Sequence, residues 1–166
     1  IGVSVHSPEE LGFILRDIDV SIIQIPYNIL DNRWDSMIDE IKKARDDRGL
    51  VVHARSPLLK GLLCSDDDSK WVSAGIDNSS EIISWLNTEF QQHKKMSISD
   101  LCIGYVNSQD WIDSVVVGAE SKENLFLNLQ SISMPLMRSE ALSELAITRP
   151  NLNSESLNPS NWRINV

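Results

Sequence analysis

The chain has 166 residues, of which 42% are hydrophobic, and it carries a formal net charge of −9. This length is sufficient for one domain with a sizeable core. The acidic balance argues against nucleic acid or an anionic membrane as a partner, and the sequence has no apolar run of the about 18 residues that a transmembrane helix needs.

Short runs rich in β-branched residues predict four strands. These runs lie at residues 1–6, 19–25, 50–54 and 113–117. Such runs are typical of parallel strands that are covered on both faces. The first run starts at Ile1, with no residue before it. We therefore expect the chain to be a piece of a larger α/β unit.

Apolar residues at three- and four-residue spacings predict helices between and after the strands. These helices lie at residues 8–16, 32–47, 79–93, 121–131 and 138–146, with one more beginning after Ser97. Ser7 starts a capping box for the first helix. Gly49 follows the second helix, where a left-handed residue is favoured. In the helix at 121–131 we expect Leu125 and Leu129 to face the core.

Two stretches lack periodicity. Residues 64–69 are acidic and predict an exposed loop, and residues 151–166 predict a polar tail that is poorly ordered except where Trp162 docks. We accordingly divide the chain into a domain at 1–150 and a tail at 151–166. The cysteines, Cys64 and Cys102, lack metal-ligand spacing, so we expect free thiols, no bound metal and a cytoplasmic location.

A strand followed by a helix recurs four times, which favours a parallel α/β protein. A doubly wound sheet and part of a (β/α)₈ barrel both fit this order. The doubly wound sheet is expected to carry a glycine-rich turn, G-x-G-x-x-G, after a strand, and the sequence lacks one. A full barrel needs about 250 residues. Four parallel strand–helix units therefore predict a partial TIM barrel, that is, a half barrel.

Read together, the residues at the ends of the four strands resemble the second half of an aldo-keto reductase. The segments that carry this resemblance lie at residues 1–4, 23–28, 54–63 and 115–121. The third segment contains Arg-Ser-x-x-Leu-x-Gly-Leu-Leu, and the ordered set of four is more specific than any one segment. The resemblance covers essentially the whole chain and corresponds to the fifth to eighth strands of the barrel.

This resemblance implies a site for NADP(H) or NAD(H), with a weak preference for NADP(H). Gln24 and Ser4 match family residues that hold the carboxamide of the nicotinamide. Arg55 stands where many members have an aromatic ring that stacks on the nicotinamide, and a guanidinium plane can also lie on a ring. From the sequence alone, Gln24 has a second reading as an internal amide that ties down a loop.

The resemblance places the rest of the cofactor at the third and fourth strand ends. The residues implied to contact its phosphate and adenosine parts are Ser56, Leu58, Gly118, Ser121, Asn124 and Asn128. Ser121 also suits a plain helix cap. It stands where members selective for the 2′-phosphate often have Arg, and Lys122 lies beside it.

In aldo-keto reductases a Tyr, assisted by Lys, Asp and His, gives the proton during reduction of a carbonyl. These residues come from the first half of the barrel, and neither Tyr27 nor Tyr105 matches the catalytic Tyr. We expect the chain to be the cofactor-binding half of a reductase for a small carbonyl compound and to be inactive alone. The alternatives are a non-catalytic half barrel that forms a homodimer through its open edges, or one that binds a partner or cofactor as a sensor. A sugar-phosphate isomerase barrel is the enzymatic rival.

Overall fold

The computed structural model describes residues 1–162. Within them, four parallel strands form one sheet in the order of the chain. The strands are β1 (Gly2–Ser4), β2 (Ile22–Pro26), β3 (Val51–Arg55) and β4 (Ser114–Val116). Each strand pairs with the next one along the chain, which is the order of a (β/α)₈ barrel, whereas a doubly wound sheet reverses direction. The predicted half barrel of four strand–helix units is confirmed.

Seven helices connect and follow these strands in the described part of the chain. They are α1 (Pro8–Ile14), α2 (Ile38–Arg48), α3 (Asp68–Ser73), α4 (Ser79–Gln92), α5 (Ile98–Asn107), α6 (Lys122–Ser133) and α7 (Ser139–Thr148). Short 3₁₀ turns lie at Asp35–Met37, Leu62–Cys64 and Pro159–Asn161. None of the helices that the structure describes has the length and apolar character needed to cross a membrane.

The helix boundaries follow from local chemistry. At the start of α1, the Ser7 hydroxyl accepts from the backbone N–H of Glu10 at 3.3 Å, and the Glu10 carboxylate accepts from the N–H of His6 at 2.7 Å. These bonds satisfy donors that the first turn would otherwise leave unpaired. Gly49 ends α2 with a φ of 68°, a left-handed conformation that a side chain would disfavour.

The two faces of the sheet differ. One face is covered by helices, and its central side chains, Ile23, Ile25, Val52 and Ala54, are fully buried. The alternate residues point to the concave face, because side chains alternate along a strand. There Ser4, Gln24, His53 and Ser114 lie in register across the four strands. The concave face therefore carries a polar row.

Two sequence predictions about local structure need correction. The acidic stretch at 64–69 is largely exposed as predicted, and residues 65–67 form a loop, but Asp68 and Ser69 already belong to α3. The Asp67 carboxylate accepts from the N–H of Ser69 at 3.0 Å and caps this helix. Leu125 and Leu129 do not face the core, since 51% and 54% of their surfaces are exposed. On α6 the buried positions are Asn128 and Ser131 instead. The buried face of α6 packs against α5, whereas its leucines lie on the uncovered side.

The tail packs better than its composition suggests. Leu152 and Leu157 are buried, and the Ser156 hydroxyl donates to the carbonyl of Gly75 at 3.1 Å. Trp162 docks as predicted, with its indole N–H donating to the carbonyl of Ser156 at 2.8 Å. Two buried leucines spaced five residues apart gave too short an apolar pattern to predict this packing. The division into a domain and a tail remains a prediction, and the last four residues of that tail, 163–166, lie outside the described part.

Candidate cofactor site

The carboxyl ends of the four strands lie on one edge of the sheet, because all the strands run in the same direction. Ser4 ends β1, Gln24 lies in β2, and Arg55 ends β3 with Ser56 directly after it. The loop from β4 to α6 starts at the same edge. The fold therefore gathers on one edge residues that are far apart along the chain.

Ser4 and Gln24 form a pair on the concave face. They are register partners in β1 and β2, and the Ser4 hydroxyl donates a hydrogen bond to Oε1 of Gln24 at 3.4 Å. Gln24 is half-buried, and its Nε2 makes no hydrogen bond within the described residues. A half-buried amide with a free N–H₂ group suits an external carbonyl acceptor. The alternative reading, an amide that ties down a neighbouring loop, has no contact to support it in this part of the chain.

Arg55 is half-buried at the end of β3 and approaches the turn after β1. Its Nη2 lies 3.1 Å from Nδ1 of His6 and 3.5 Å from the carbonyl of Val5. Burial lowers the pKa of Arg55, and the positive charge of Arg33 lowers it further. Arg33 itself is held by the fully buried Asp31, with Nε to Oδ1 at 2.8 Å and Nη2 to Oδ2 at 2.6 Å.

The loop after β3 has an unusual backbone. Ser56, Leu59 and Lys60 have φ values of 63°, 47° and 53°, although none of them is glycine, and Gly61 follows at 82°. Left-handed non-glycine residues are strained and cluster at ligand-binding sites. Turn bonds from the N–H of Leu59 to the carbonyl of Ser56 (2.9 Å) and from Gly61 to Leu58 (2.8 Å) hold this shape. The loop is thus a compact, preformed turn.

A cleft of about 580 Å³ lies between this loop and the start of α6. Four of the sequence-predicted residues line it, namely Leu58, Gly118, Asn124 and Asn128. Lys60 and Lys70 also line it together with Glu120, so the lining carries two cationic side chains and one acidic one. Sequence reasoning missed both lysines. Lys60 lay inside the quoted Arg-Ser-x-x-Leu-x-Gly-Leu-Leu pattern at an unspecified position, and Lys70 followed a stretch predicted to be a loop.

The start of α6 is shaped by its own side chains. The Ser121 hydroxyl accepts from the N–H of Asn124 at 3.1 Å, so Ser121 is a helix cap. Nδ2 of the buried Asn128 donates to the carbonyl of Gly118 at 3.1 Å and ties the β4–α6 loop to the helix. The N–H groups of the first helical turn point toward the carboxyl edge, which favours an anion there.

The two tyrosines lie away from this surface. Tyr27 follows β2 and Tyr105 lies in α5, and their hydroxyls are 3.2 Å apart in the interior. Tyr27 also meets the ring of Trp111 edge-on, with centroids 4.9 Å apart. Burial raises the pKa of both tyrosines, that of Tyr27 strongly. Buried phenols with raised pKa values are structural here.

The family model for aldo/keto reductases matches residues 1–146, which is most of the chain. This chain belongs to the aldo-keto reductase family. A comparison with curated protein sequences gave no match. The family assignment agrees with the resemblance that the four strand ends predicted.

Solved aldo-keto reductases share the fold. Similar structures include AKR11C1 from Bacillus halodurans in its apo form, with a TM-score of 0.74 over 91% of this chain at 20% identity. Its holo form gives 0.71 over 93% at 21% identity. The glycerol dehydrogenase AKR11B4 from Gluconobacter oxydans gives 0.60 over 87% at 18% identity. The matched regions are 51%, 52% and 46% of those chains, so this aldo-keto reductase chain spans about half their length.

Within this aldo-keto reductase half barrel, the predicted site residues form two groups. Ser4, Gln24 and Arg55 lie on the concave side of β1 to β3. Leu58, Gly118, Asn124 and Asn128 line the cleft at the other end of the carboxyl edge. Ser56 starts the strained loop between the two groups, and Ser121 caps α6 beside the cleft. An elongated ligand can therefore meet hydrogen-bonding side chains, Ser4 and Gln24, at one end of the edge. At the other end it meets the lysines of the cleft.

Proposed function

We propose that this chain is the nicotinamide-cofactor-binding half of an aldo-keto reductase that reduces small carbonyl compounds. The observation that carries the proposal is the cleft of about 580 Å³ at the same sheet edge as the Ser4–Gln24 pair. An extended dinucleotide needs two such sites joined by a backbone that it can approach closely. The strained loop at residues 56–61 supplies that backbone.

At the first end of the edge, the residues present fit a carboxamide. The free Nε2 of Gln24 donates to a carboxamide oxygen, and the Ser4 hydroxyl holds Gln24 in place through Oε1. Arg55 offers a guanidinium plane beside them in place of an aromatic ring. These side chains bind and orient the ring, and they provide no group that gives a proton to a carbonyl oxygen.

At the second end, the residues present fit a phosphate. Lys60 and Lys70 line the cleft, and the N-terminus of α6 opens beside it. Both features favour negative charge, and they act against the carboxylates of Glu120 in the lining and Glu123 in the first turn of α6. NADP(H) is weakly preferred over NAD(H), because the exposed Lys122 lies next to the helix cap where it can pair with a 2′-phosphate.

When bound, the cofactor supplies a hydride that converts a carbonyl to an alcohol, while an acid supplies the proton. This chain has no counterpart of the family's Tyr, Lys, Asp and His, so we propose that a second half barrel provides them. The chain alone then binds cofactor without turnover. With Cys64 and Cys102 both free thiols, we place the parent protein in the cytoplasm.

Calorimetric titration of the purified chain with NADPH, NADH and inorganic phosphate tests this proposal. We expect saturable binding of a dinucleotide. The variant Gln24→Leu should weaken that binding about five- to tenfold, since it removes a hydrogen bond worth about 1 kcal/mol. Gln91→Leu, the same change on the exposed face of α4, is the matched control.

Two outcomes would contradict the proposal. The first is the absence of saturable binding by either dinucleotide. The second is binding of phosphate at the α6 cleft without any dinucleotide, which would favour a sugar-phosphate isomerase barrel. Reduction of a carbonyl compound by the chain alone would refute the division of labour between two halves.

One observation favours a second function, assembly with another half barrel or a second copy. In the described residues, β1 and β4 are open edges of the sheet, and exposed apolar side chains lie near both of them. Open parallel edges invite pairing. Light scattering at increasing protein concentration tests this, and a mass that stays at 18.7 kDa would argue against self-association.

A further inference from the structure

A basic pocket lies between the end of α4 and the segment that joins α6 to α7. Its volume is about 310 Å³, and its lining includes His93, Lys94, Lys95 and Arg138. Within residues 1–162, no acidic side chain lines this pocket, although the whole chain carries a net charge of −9. It shares no lining residue with the α6 cleft that we propose for the cofactor, so the two are separate.

The three cations of this pocket are unpaired. The side chains of Lys94, Lys95 and Arg138 make no hydrogen bond or ion pair with any other described residue. The backbone N–H groups of residues 93, 94 and 95 donate to carbonyls in the last turn of α4 at 3.0, 3.1 and 2.9 Å. Those carbonyls therefore do not require the lysine side chains as partners.

Lys94 occupies a position that usually belongs to glycine. It follows His93, the C-cap residue of α4, and has a φ of 52°. A left-handed residue at the end of a helix is most often Gly, as Gly49 is after α2 with a φ of 68°. A non-glycine residue in this conformation is strained, and such strain clusters at ligand-binding positions. This backbone distinguishes the pocket from an ordinary surface with solvated lysines.

The start of α7 adds backbone donors to the pocket. Arg138 is the N-cap residue of this helix, and no side chain caps it. The first N–H of α7 with a partner among the described residues is that of Leu142, which donates to the carbonyl of Arg138 at 3.1 Å. Ala141 precedes it and lines the pocket, and free N–H groups at a helix start favour an anion. Glu140 belongs to the same turn but lines a different surface, together with Ile147.

Two buried acids lie near the pocket without lining it. Oε2 of Glu89 is 3.4 Å from Nε2 of His93, and Oδ2 of Asp100 accepts from the N–H of Met96 at 3.0 Å. The end of α4 adds about half a negative charge, and the start of α7 adds about half a positive one. The three lysine and arginine charges therefore leave the pocket positive even when His93 is neutral.

We propose that this pocket binds a phosphate group, either free or carried by a small molecule. Several cations and backbone N–H groups around one space suit an anion with several oxygens. The volume lies at the lower end of the range for small-molecule sites, about 300–1,000 Å³, so the pocket fits a small phosphorylated compound and not a dinucleotide. Such a ligand would join α4 to α7 and stabilise their packing.

Nuclear magnetic resonance of the ¹⁵N-labelled chain tests this inference, with inorganic phosphate and glycerol 3-phosphate as probes. Sodium chloride at equal ionic strength is the control. We expect phosphate to shift the amides of residues 93–95 and 139–141 in a saturable way, with a Kd below about 10 mM, and chloride to leave them in place. Tighter binding of glycerol 3-phosphate would identify a phosphorylated small molecule as the ligand, and tighter binding of inorganic phosphate would identify the free ion.

Variants separate phosphate binding from a structural role. Lys94→Gly should weaken phosphate binding about tenfold, because it removes a charged hydrogen-bond donor. It should keep or raise the melting temperature of the ligand-free chain, since glycine adopts the left-handed conformation without strain. Lys60→Gly is the matched control, because Lys60 has a φ of 53° but lines the α6 cleft. This control should leave the phosphate shifts at residues 93–95 unchanged.

The inference fails if phosphate gives no saturable shift at residues 93–95 and 139–141, or if it shifts residues 118–128 alone. It also fails if Lys94→Gly binds phosphate as tightly as the wild type, because the lysines would then be ordinary solvated side chains. The two sites share no lining residue. Loss of dinucleotide binding at residues 118–128 would therefore leave this inference standing, and the reverse also holds.

Discussion

The central and outer units of the half barrel differ in how well they are covered. The helix-facing side chains of β2 and β3 are fully buried, Ile23 and Val52 among them. At the outer units, 71% of Phe13 on α1 and 61% of Phe126 on α6 are exposed. A β/α unit buries its helix between its own strand and its neighbours, so a unit with a neighbour on one side only leaves apolar surface uncovered.

Most of the exposed large apolar side chains belong to the outer units, although Val72, Met96 and Ile147 lie elsewhere. On the β1 side they are Ile1, Phe13, Ile18 and Ile22. On the β4 side they are Val116, Leu125, Phe126, Leu127, Leu129 and Leu136. Patches of this kind mark interaction surfaces. Within the described residues, the helix-facing side chains of the central strands are therefore covered, whereas the outer units carry exposed apolar side chains.

The largest expected effect is at the centre. Trp34 is fully buried, and its indole N–H donates to Oδ2 of Asp31 at 3.2 Å. Trp34→Ala should lower the free energy of unfolding by about 3–5 kcal/mol, because it opens a cavity and removes a partner of a buried carboxylate. Urea unfolding followed by circular dichroism measures this. A loss below about 1 kcal/mol would contradict the proposed difference between centre and edge.

Much of this central architecture was readable from the sequence. The β-branched run around Ile23 and Ile25 and the helical spacing that includes Ile41 are local patterns. The expectation that the strands are covered on both faces was wrong, because Ser4 and Ile22 are exposed on the other face. Leu125 and Leu129 follow the same pattern but are exposed, because an apolar stripe shows which face is to be buried and not whether a neighbour covers it. The cap at Asp67 was missed since three consecutive acids hid which one starts the helix.

The next largest effect on stability is expected at the buried pair of Tyr27 and Tyr105, which connects the segment after β2 to α5. Tyr27→Phe removes the hydrogen bond between the two phenols, 3.2 Å apart, and should cost about 1 kcal/mol at neutral pH. Tyr105 keeps a contact with Nη1 of Arg149 at 3.5 Å, so it is not left unpaired. Urea unfolding at pH 7 measures the loss.

Tyr27, Tyr105 and the buried thiol of Cys102 also make the stability of the fold sensitive to alkaline pH. Burial raises the pKa values of Tyr27, Tyr105 and Cys102 above ordinary values of 10.0 for Tyr and 9.0 for Cys. Folding therefore keeps protons that the unfolded chain releases, so stability is fully present below about pH 9 and falls as pH rises further. The variant Tyr27→Phe lacks one of these titrating groups. The difference between its free energy of unfolding and that of the wild type should therefore be smaller at pH 11 than at pH 7. A deficit that stays constant with pH would contradict this.

The helices α5 and α6 begin with serine caps of the same geometry. The hydroxyls of Ser97 and Ser121 each accept from an N–H three residues on, both at 3.1 Å. Ser97→Ala should cost about 1 kcal/mol, because α5 is buried along residues 101–106 and its first turn is held in place. Ser121→Ala should cost about 0.5 kcal/mol or less, since the first turn of α6 is exposed and can fray. Equal costs would mean that α6 is held as firmly as α5.

The candidate site was only partly readable from the sequence, for a related reason. Gln24 and Ser121 stood out because a polar residue near a strand end or before a helix has a local signature. The contact of Arg55 with His6 and the presence of Lys70 in the cleft depend on loops that meet in space. Contacts of this kind depend on the tertiary structure, so they cannot be predicted from residue patterns alone.

The smallest expected effect on stability lies at the outer face of α6. Phe126→Ser combined with Leu129→Ser should change the free energy of unfolding by no more than about 0.5 kcal/mol, because both side chains already lie mostly in water. The pair should nevertheless reduce concentration-dependent association in light scattering. Ile147→Ser on α7, where the side chain is 83% exposed, is the control and should leave association unchanged. A loss above about 1 kcal/mol would show that α6 is covered in the isolated chain, and the edges would then no longer be free for a second half barrel.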